Sequence, residues 1–182
     1  METLTDEELM ELIVGGNLDM MRHLFQRYHI KIYNFCWQMT KDKDLSKDIT
    51  QEVFYKVIKH RKTYRQNKFS SWIYAIARNL CKDHYKTLNK TERLNDKDLK
   101  DTYSINDNRS EPLGNISQLN FALDQLSNSD RELIVMGKYQ GLKYYEIAKI
   151  TDSTLGAVKT KMHRAMQKLK DSYFLKTKHH EM

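Results

Sequence analysis

The sequence predicts an all-α protein: two helical domains, an N-terminal antiparallel helix bundle and a C-terminal helix-turn-helix domain, joined by a flexible linker. Three observations carry that prediction. Apolar residues recur at three- and four-residue steps over long stretches. Pro112 is the only proline and there are 6 glycines, so few positions interrupt a helix. Between two such periodic regions, residues 91–115 lack any sustained period. They are rich in Asp, Asn, Lys, Ser and Thr and include Pro112 and Gly114, the composition of a mobile linker. At 182 residues the chain has room for one or two domains.

The elements follow in order. Thr5 and Glu8 have the spacing of a capping box, which opens a short helix with Leu9, Leu12 and Ile13 as its apolar stripe. Gly15-Gly16 ends it. A second helix is expected from Leu18 to Thr40, burying Met21, Leu24, Phe25, Tyr28, Ile32, Phe35, Cys36 and Met39. After the polar turn Lys41-Asp42-Lys43-Asp44, a third runs from Leu45 to Arg61 with Leu45, Ile49, Val53, Phe54, Val57 and Ile58 inside. The polar loop from Thr63 to Lys68 precedes a fourth long helix. Phe69, Trp72, Ile73, Ile76, Ala77, Leu80 and His84 share its buried face, and Tyr74 is expected off that stripe, exposed. The first domain closes near residue 90. Four shorter helices are expected beyond the linker, Ile116–Leu126, Asp130–Gln140, Lys143–Ile150 and Thr154–Lys170. They make a second domain over 116–171, followed by a basic tail, 172–182.

Charge is unevenly placed. The net charge is +7, yet residues 1–52 hold 6 basic and 10 acidic side chains and residues 53–100 hold 13 and 4. Residues 101–153 hold 5 and 8, and residues 154–182 hold 7 and 2. Two basic blocks separated by an acidic one fit either two contacts with a polyanion or two solvated helical faces. Cys36 and Cys81 form no CxxC and have no histidine cluster beside them, so neither a zinc site nor a disulfide framework is indicated; buried free thiols are expected. No metal or other cofactor is called for. The acidic start, METLTDEELM, is unlike a signal peptide, and no apolar run approaches the roughly 20 residues of a membrane span. A soluble, cytoplasmic protein without membrane insertion is expected.

The sharpest local pattern is KYYEIAKITDSTLGAVKTKMHRAMQKL, from Lys143 to Leu169. A short helix with Ile147, Ala148 and Ile150 meets a tight turn, Thr151-Asp152-Ser153. Thr154 is a natural N-cap for the next helix. That helix buries Val158, Met162, Ala165 and Leu169 and turns Lys159, Lys161, Arg164 and Lys168 outward. Ala148, Gly156 and Ala157 are small enough for close helix approach. This is the pattern of a helix-turn-helix, whose cationic face suits guanine edges and phosphates in the major groove.

At these residues the chain resembles a known family. Gly141-Leu142, Glu146-Ile147-Ala148 and Val158-Lys159-Thr160-Lys161-Met162-His163-Arg164-Ala165 are similar to region 4 of extracytoplasmic-function (ECF) RNA polymerase sigma factors. Asp48, Gln51-Glu52-Val53-Phe54 and Phe69…Trp72-Ile73-Tyr74…Ile76-Ala77-Arg78-Asn79 resemble region 2 of the same family. Both motif sets stand in the family's order and together cover about residues 18–90 and 116–170. The resemblance implies a non-catalytic initiation subunit that binds core RNA polymerase, through the β′ clamp and the β flap, and promoter DNA. It implies that Asp48, Gln51 and Glu52 face the β′ clamp, with Phe54 and Val57 packed beneath. It implies that Arg65, Asn67, Lys68, Ser70, Ser71, Tyr74, Arg78 and Lys82 hold the melted −10 strand, Asn67 cupping a flipped base. Thr154, Lys159, Lys161, Arg164 and Lys168 are implied to read the −35 duplex. An anti-sigma factor is an implied partner. The acidic linker residues Asp96, Asp98 and Asp101 fit an RNA mimic. The turn departs from the family, which has Gly then an aliphatic residue where this chain has Asp152 then Ser153.

Two other functions compete. A stand-alone helix-turn-helix regulator would share the C-terminal reading but dimerise and bind duplex tightly without polymerase. A nucleic-acid-modifying enzyme would need paired carboxylates, a metal cluster or an activated nucleophile, and none is visible. Asp83 and His84 adjoin, but helix neighbours diverge.

Overall fold

The computed structural model describes residues 4–65, 68–95 and 114–178. Among them the architecture is helical throughout. Helices α1 (Asp6–Val14), α2 (Met21–Thr40), α3 (Lys43–Lys59) and α4 (Phe69–Asn95) form the N-terminal bundle. Helices α5 (Gly114–Asp124), α6 (Asn128–Ile134), α7 (Tyr144–Thr151) and α8 (Leu155–Lys178) form the C-terminal unit. Helix α6 runs on as a π-helical turn, Val135–Tyr139. The predicted linker lies mostly at 96–113, outside the described residues, and the predicted basic tail is largely the end of α8.

Local chemistry explains the helix ends. Thr5 and Glu8 do form the capping box of α1, Glu8 Oε2 accepting the Thr5 N–H at 2.7 Å. Asp42 caps α3, its Oδ1 accepting from Asp44 N at 2.9 Å and Leu45 N at 3.0 Å. The cap of α4 comes from elsewhere: Glu7 Oε1, on α1, accepts the Phe69 N–H at 3.1 Å. This long-range contact pins α1 across the entry to α4. Helix α2 stops where Lys41 turns left-handed, φ 58°.

The N-terminal core is built from Leu9, Met10, Ile13, Leu24, Ile32, Phe35, Val53, Val57, Phe69, Ile73 and Ala77, each at most 1% exposed. Tyr28 meets Phe69 edge-on at 5.1 Å between ring centroids and donates to Asp6 Oδ2 at 2.5 Å. Burial and that carboxylate push the Tyr28 phenol well above its ordinary value. Cys36 and Cys81 are buried free thiols. The Cys36 neighbour and burial raise the Cys81 thiol, which disfavours its thiolate.

Three expectations about this core need correction. Tyr74 lies inside it, 1% exposed, edge-on to Phe35 at 5.5 Å, because α4 is covered on a second side by the C-terminal unit. Phe25, expected inside, is 46% exposed at the bundle surface, stacked on His29 and tilted against Phe54. Leu12 is 41% exposed, since only Leu9, Met10 and Ile13 of α1 face inward.

The two units are in contact. Helix α7 packs on α4, and α6 with its π turn packs on α2. Lys41 forms an ion pair with Asp124 across this boundary at 2.8 Å.

Replacing fully buried Leu24 by Ala is expected to lower unfolding stability by about 3 kcal/mol. The same change at exposed Leu12 should stay within about 0.5 kcal/mol. Urea melts followed by circular dichroism read both.

Candidate nucleic-acid interface

The helix-turn-helix is formed by α7, a three-residue turn and α8. Glu146 Oε2 accepts the Lys143 N–H at 2.8 Å and closes the first turn of α7. Asp152 ends α7 in the left-handed region, φ 52°, where Asp is tolerated better than most side chains. The Ser153 N–H then reaches back to the Ala148 carbonyl at 2.9 Å. Thr154 caps α8 through Oγ1, which accepts from Ala157 N at 3.2 Å. Val158, Met162, Ala165 and Leu169 are buried on the inner face. Lys159, Lys161 and Arg164 stand exposed on the outer face. Leu155 and Gly156 in the first turn are also exposed, so the helix presents its N-terminal end to solvent, the end that approaches bases in this motif.

Two details of the motif differ from expectation. Gly156 mediates no close approach, since nothing lies within 4 Å of the place a Cβ would occupy. Gly137 does: a Cβ there would sit 2.7 Å from Met162 Cε and 3.4 Å from Ile147 Cδ1. It belongs to the π turn, whose irregular winding gives no sequence period to read. Lys168 is exposed but tethered, its Nζ 2.6 Å from Asp130 Oδ2 at the start of α6.

The outer face of α4 holds the other candidate set. Ser70 Oγ donates to Glu146 Oε1 at 2.7 Å. Tyr74 Oη donates to Gln140 Oε1 at 2.8 Å. Arg78 Nε donates to Glu132 Oε1 at 2.7 Å, and Nη1 reaches the Ile150 carbonyl at 3.4 Å. Lys68, exposed, has its pKa raised chiefly by a hydrogen bond with Tyr145. Ser71 is buried. Arg65 and Lys82 are exposed, and Asn67 lies outside the described residues. Trp72, expected in the core, is half-buried against Tyr64 at 5.2 Å and Phe69 at 6.3 Å. Thus Ser70, Tyr74 and Arg78 come together as a row, one helical turn apart, but each points into the C-terminal unit.

On α3, Asp48 and Gln51 are exposed, while Glu52 is half-buried and paired with Lys56 at 3.6 Å. Phe54 and Val57 are buried beneath them. The sequence reading missed Tyr55 on this surface, 55% exposed with Lys59 Nζ 5.5 Å from its ring centroid. A large aromatic off the apolar stripe was the available signal. Among the described residues no group of His, Cys, Asp and Glu could hold a metal ion, and no helix is long and apolar enough to cross a membrane.

Comparison with known proteins bears on both helical units. Residues 24–91 match the family model for Sigma-70 region 2, and residues 116–169 match that for Sigma-70, region 4. The ECF RNA polymerase sigma factor BldN of Streptomyces coelicolor is 27% identical over 168 residues, covering 89% of this chain and 63% of BldN. The chain thus spans under two thirds of BldN's length. SigX of Bacillus subtilis, another ECF sigma factor, is 28% identical over 155 residues, covering 81% of this chain and 80% of SigX. SigM of the same organism is 29% identical over 153 residues, covering 82% and 93%. Among solved structures, CnrH in complex with the cytosolic domain of CnrY superposes with a TM-score of 0.71 at 19% identity, covering 91% of this chain and 95% of CnrH. The sigma factor RpoE from Bartonella quintana, in complex with the anti-sigma factor NepR, gives 0.71 at 18%, covering 83% and 94%. At these identities the two structures show a shared fold.

The Lys168 contact holds the Asp130 carboxyl below its ordinary value of 3.8. A depressed folded-state pKa contributes stability above the unfolded value and loses it as pH falls through the folded one. Asp130→Asn is therefore expected to flatten the fall in stability below about pH 4, read by urea melts between pH 3 and 7.

Proposed function

The chain is an ECF-type RNA polymerase sigma factor, and from that premise we propose how its surfaces divide the work of initiation. Asp48, Gln51 and Glu52 on α3, with Tyr55 beside them, meet the β′ clamp of core polymerase, and the C-terminal unit meets the β flap. An acidic, amide-bearing strip suits an arginine-rich partner through charge-assisted hydrogen bonds. Helix α8 reads the −35 duplex through Thr154, Lys159, Lys161, Arg164 and Lys168. Arg65, Asn67, Lys68, Ser70, Arg78 and Lys82 hold the melted −10 strand, while Ser71, its hydroxyl buried, stays beneath that surface. Tyr74, with its ring in the core, offers that strand only its hydroxyl.

The observation that carries this reading is the outer face of α8. Lys159, Lys161 and Arg164 are exposed and without acidic partners among the described ion pairs, on a helix whose N-terminal end is open to solvent. Helix N-termini and cations together favour a phosphate-bearing ligand. The proposed mechanism is binding without bond chemistry. Captured bases stabilise the open promoter, and that difference in affinity shifts the opening equilibrium. The work is done in the cytoplasm, where the polymerase is. An anti-sigma protein is a further proposed partner, supported by the fold shared with CnrH and RpoE, whose structures hold CnrY and the anti-sigma factor NepR.

Runoff transcription with purified core polymerase and a genomic promoter library tests the reading. Specific starts are expected only when the chain is added; none, with no retention on core enzyme, overturns it. Lys159→Ala with Arg164→Ala should cut transcription from those promoters at least about tenfold, since each lost contact is worth about 1–3 kcal/mol. If about 6 phosphates are neutralised, the logarithm of affinity should fall with that of salt at a slope of about −5, shallower by about 1 for each cation removed.

A further inference from the structure

The first turn of α8 is the part of a helix-turn-helix that reaches base edges. Its side chains have little left with which to read those edges by hydrogen bonds. Ser153 Oγ donates to the Thr151 carbonyl at 3.4 Å. Thr154 Oγ1 accepts from Ala157 N at 3.2 Å, which leaves that hydroxyl one proton to donate. Gly156 has no side chain, Ala157 is half-buried and Val158 is buried. Leu155 remains, 43% exposed, and it is apolar. A single leucine at a protein surface is ordinary. This one stands at the leading end of the helix, one turn ahead of Lys159 on the same side. Beside it, nothing lies within 4 Å of the place a Cβ of Gly156 would occupy, so the space next to Leu155 is open to an approaching duplex.

The hydrocarbon group that marks out one base in the major groove is the C5-methyl of thymine. An isobutyl side chain gains from covering that methyl. Against an amine, amide or carbonyl edge it would strip water and return no hydrogen bond. We propose that Leu155 is a specificity-determining residue of α8, seated against the methyl group of one thymine in the −35 element. The inference rests on the assignment of α8 to that element and adds a base preference to it. Cations such as Lys159 and Arg164 can grip phosphates whatever the sequence, and phosphate contacts position without specifying. Leu155 adds discrimination of thymine from cytosine at one base pair.

The test uses the full chain assembled with core polymerase, on a promoter drawn from the runoff library. Each thymine of the −35 region, on either strand, is replaced in turn by deoxyuridine, which lacks only the methyl group. Gel shift reads the affinity of the assembled polymerase for each duplex. At one position the swap should weaken wild-type binding about fourfold, the worth of one methyl group withdrawn from water. Leu155→Ala should weaken binding to the unmodified promoter by a similar factor. It should also bind the thymine and deoxyuridine forms of that position equally. Leu155→Met, which keeps an apolar side chain there, should retain most of the difference. The site is exposed, so both variants should fold, and helical circular dichroism checks that they do. A wild type indifferent to every methyl, or an element without thymine, overturns the proposal. So does a Leu155→Ala variant that still discriminates at the sensitive position. The −35 assignment fails separately, if Lys159→Ala with Arg164→Ala leaves affinity unchanged. Weakened binding in that double variant, with no response to any methyl, keeps the assignment and sinks the role of Leu155 alone.

Discussion

Arg78 sits near the middle of α4 with its guanidinium largely removed from solvent, and a charge held there requires an opposite one. Glu132 supplies it from the other helical unit. Removing one partner of such a pair costs about 3–5 kcal/mol, because the remaining charge is left buried and uncompensated. The relative placement of the two units follows from this pairing and from the bonds of Ser70 and Tyr74 on either side of it. With them engaged, α7 must lie along α4, and α6 with its π turn must reach α2.

Helix α4 consequently faces two neighbours. Phe69, Ile73 and Ala77 close the N-terminal bundle. Ser70, Tyr74 and Arg78, one position along from each of these, face the C-terminal unit. Tyr74 serves both, with its ring against Phe35 and its hydroxyl on Gln140. A polar row set directly beside an apolar one gives a surface that can exchange one set of acceptors for another without disturbing the core beneath.

The helix-turn-helix shows how local chemistry can replace a family's usual solution. Asp152 adopts the left-handed turn that glycine adopts freely, and Ser153 and Thr154 complete it through hydrogen bonds. The close contact with the motif falls at Gly137 in the preceding π turn, where an added Cβ would have to displace the tip of Met162. Helix α8 thus keeps its packing while the cations on its far side remain in water.

What the sequence determined by itself was periodic or local. The 3.6-residue repeat located the long helices, the Thr5 and Thr154 caps were legible from side-chain chemistry, and the burial of Val158, Met162, Ala165 and Leu169 required Lys159, Lys161 and Arg164 to face outward. Tertiary structure alone decided the rest. Glu7 caps α4 from 62 residues away. Tyr74 is buried although it lies off the apolar stripe, and Ser70 and Arg78 bond across a boundary between units. The physical reasons are two: a cap supplied from 62 residues away leaves no local pattern, and periodicity records one buried face per helix, whereas a helix packed between two neighbours has two, the second polar and bonded and so without a hydrophobic signal.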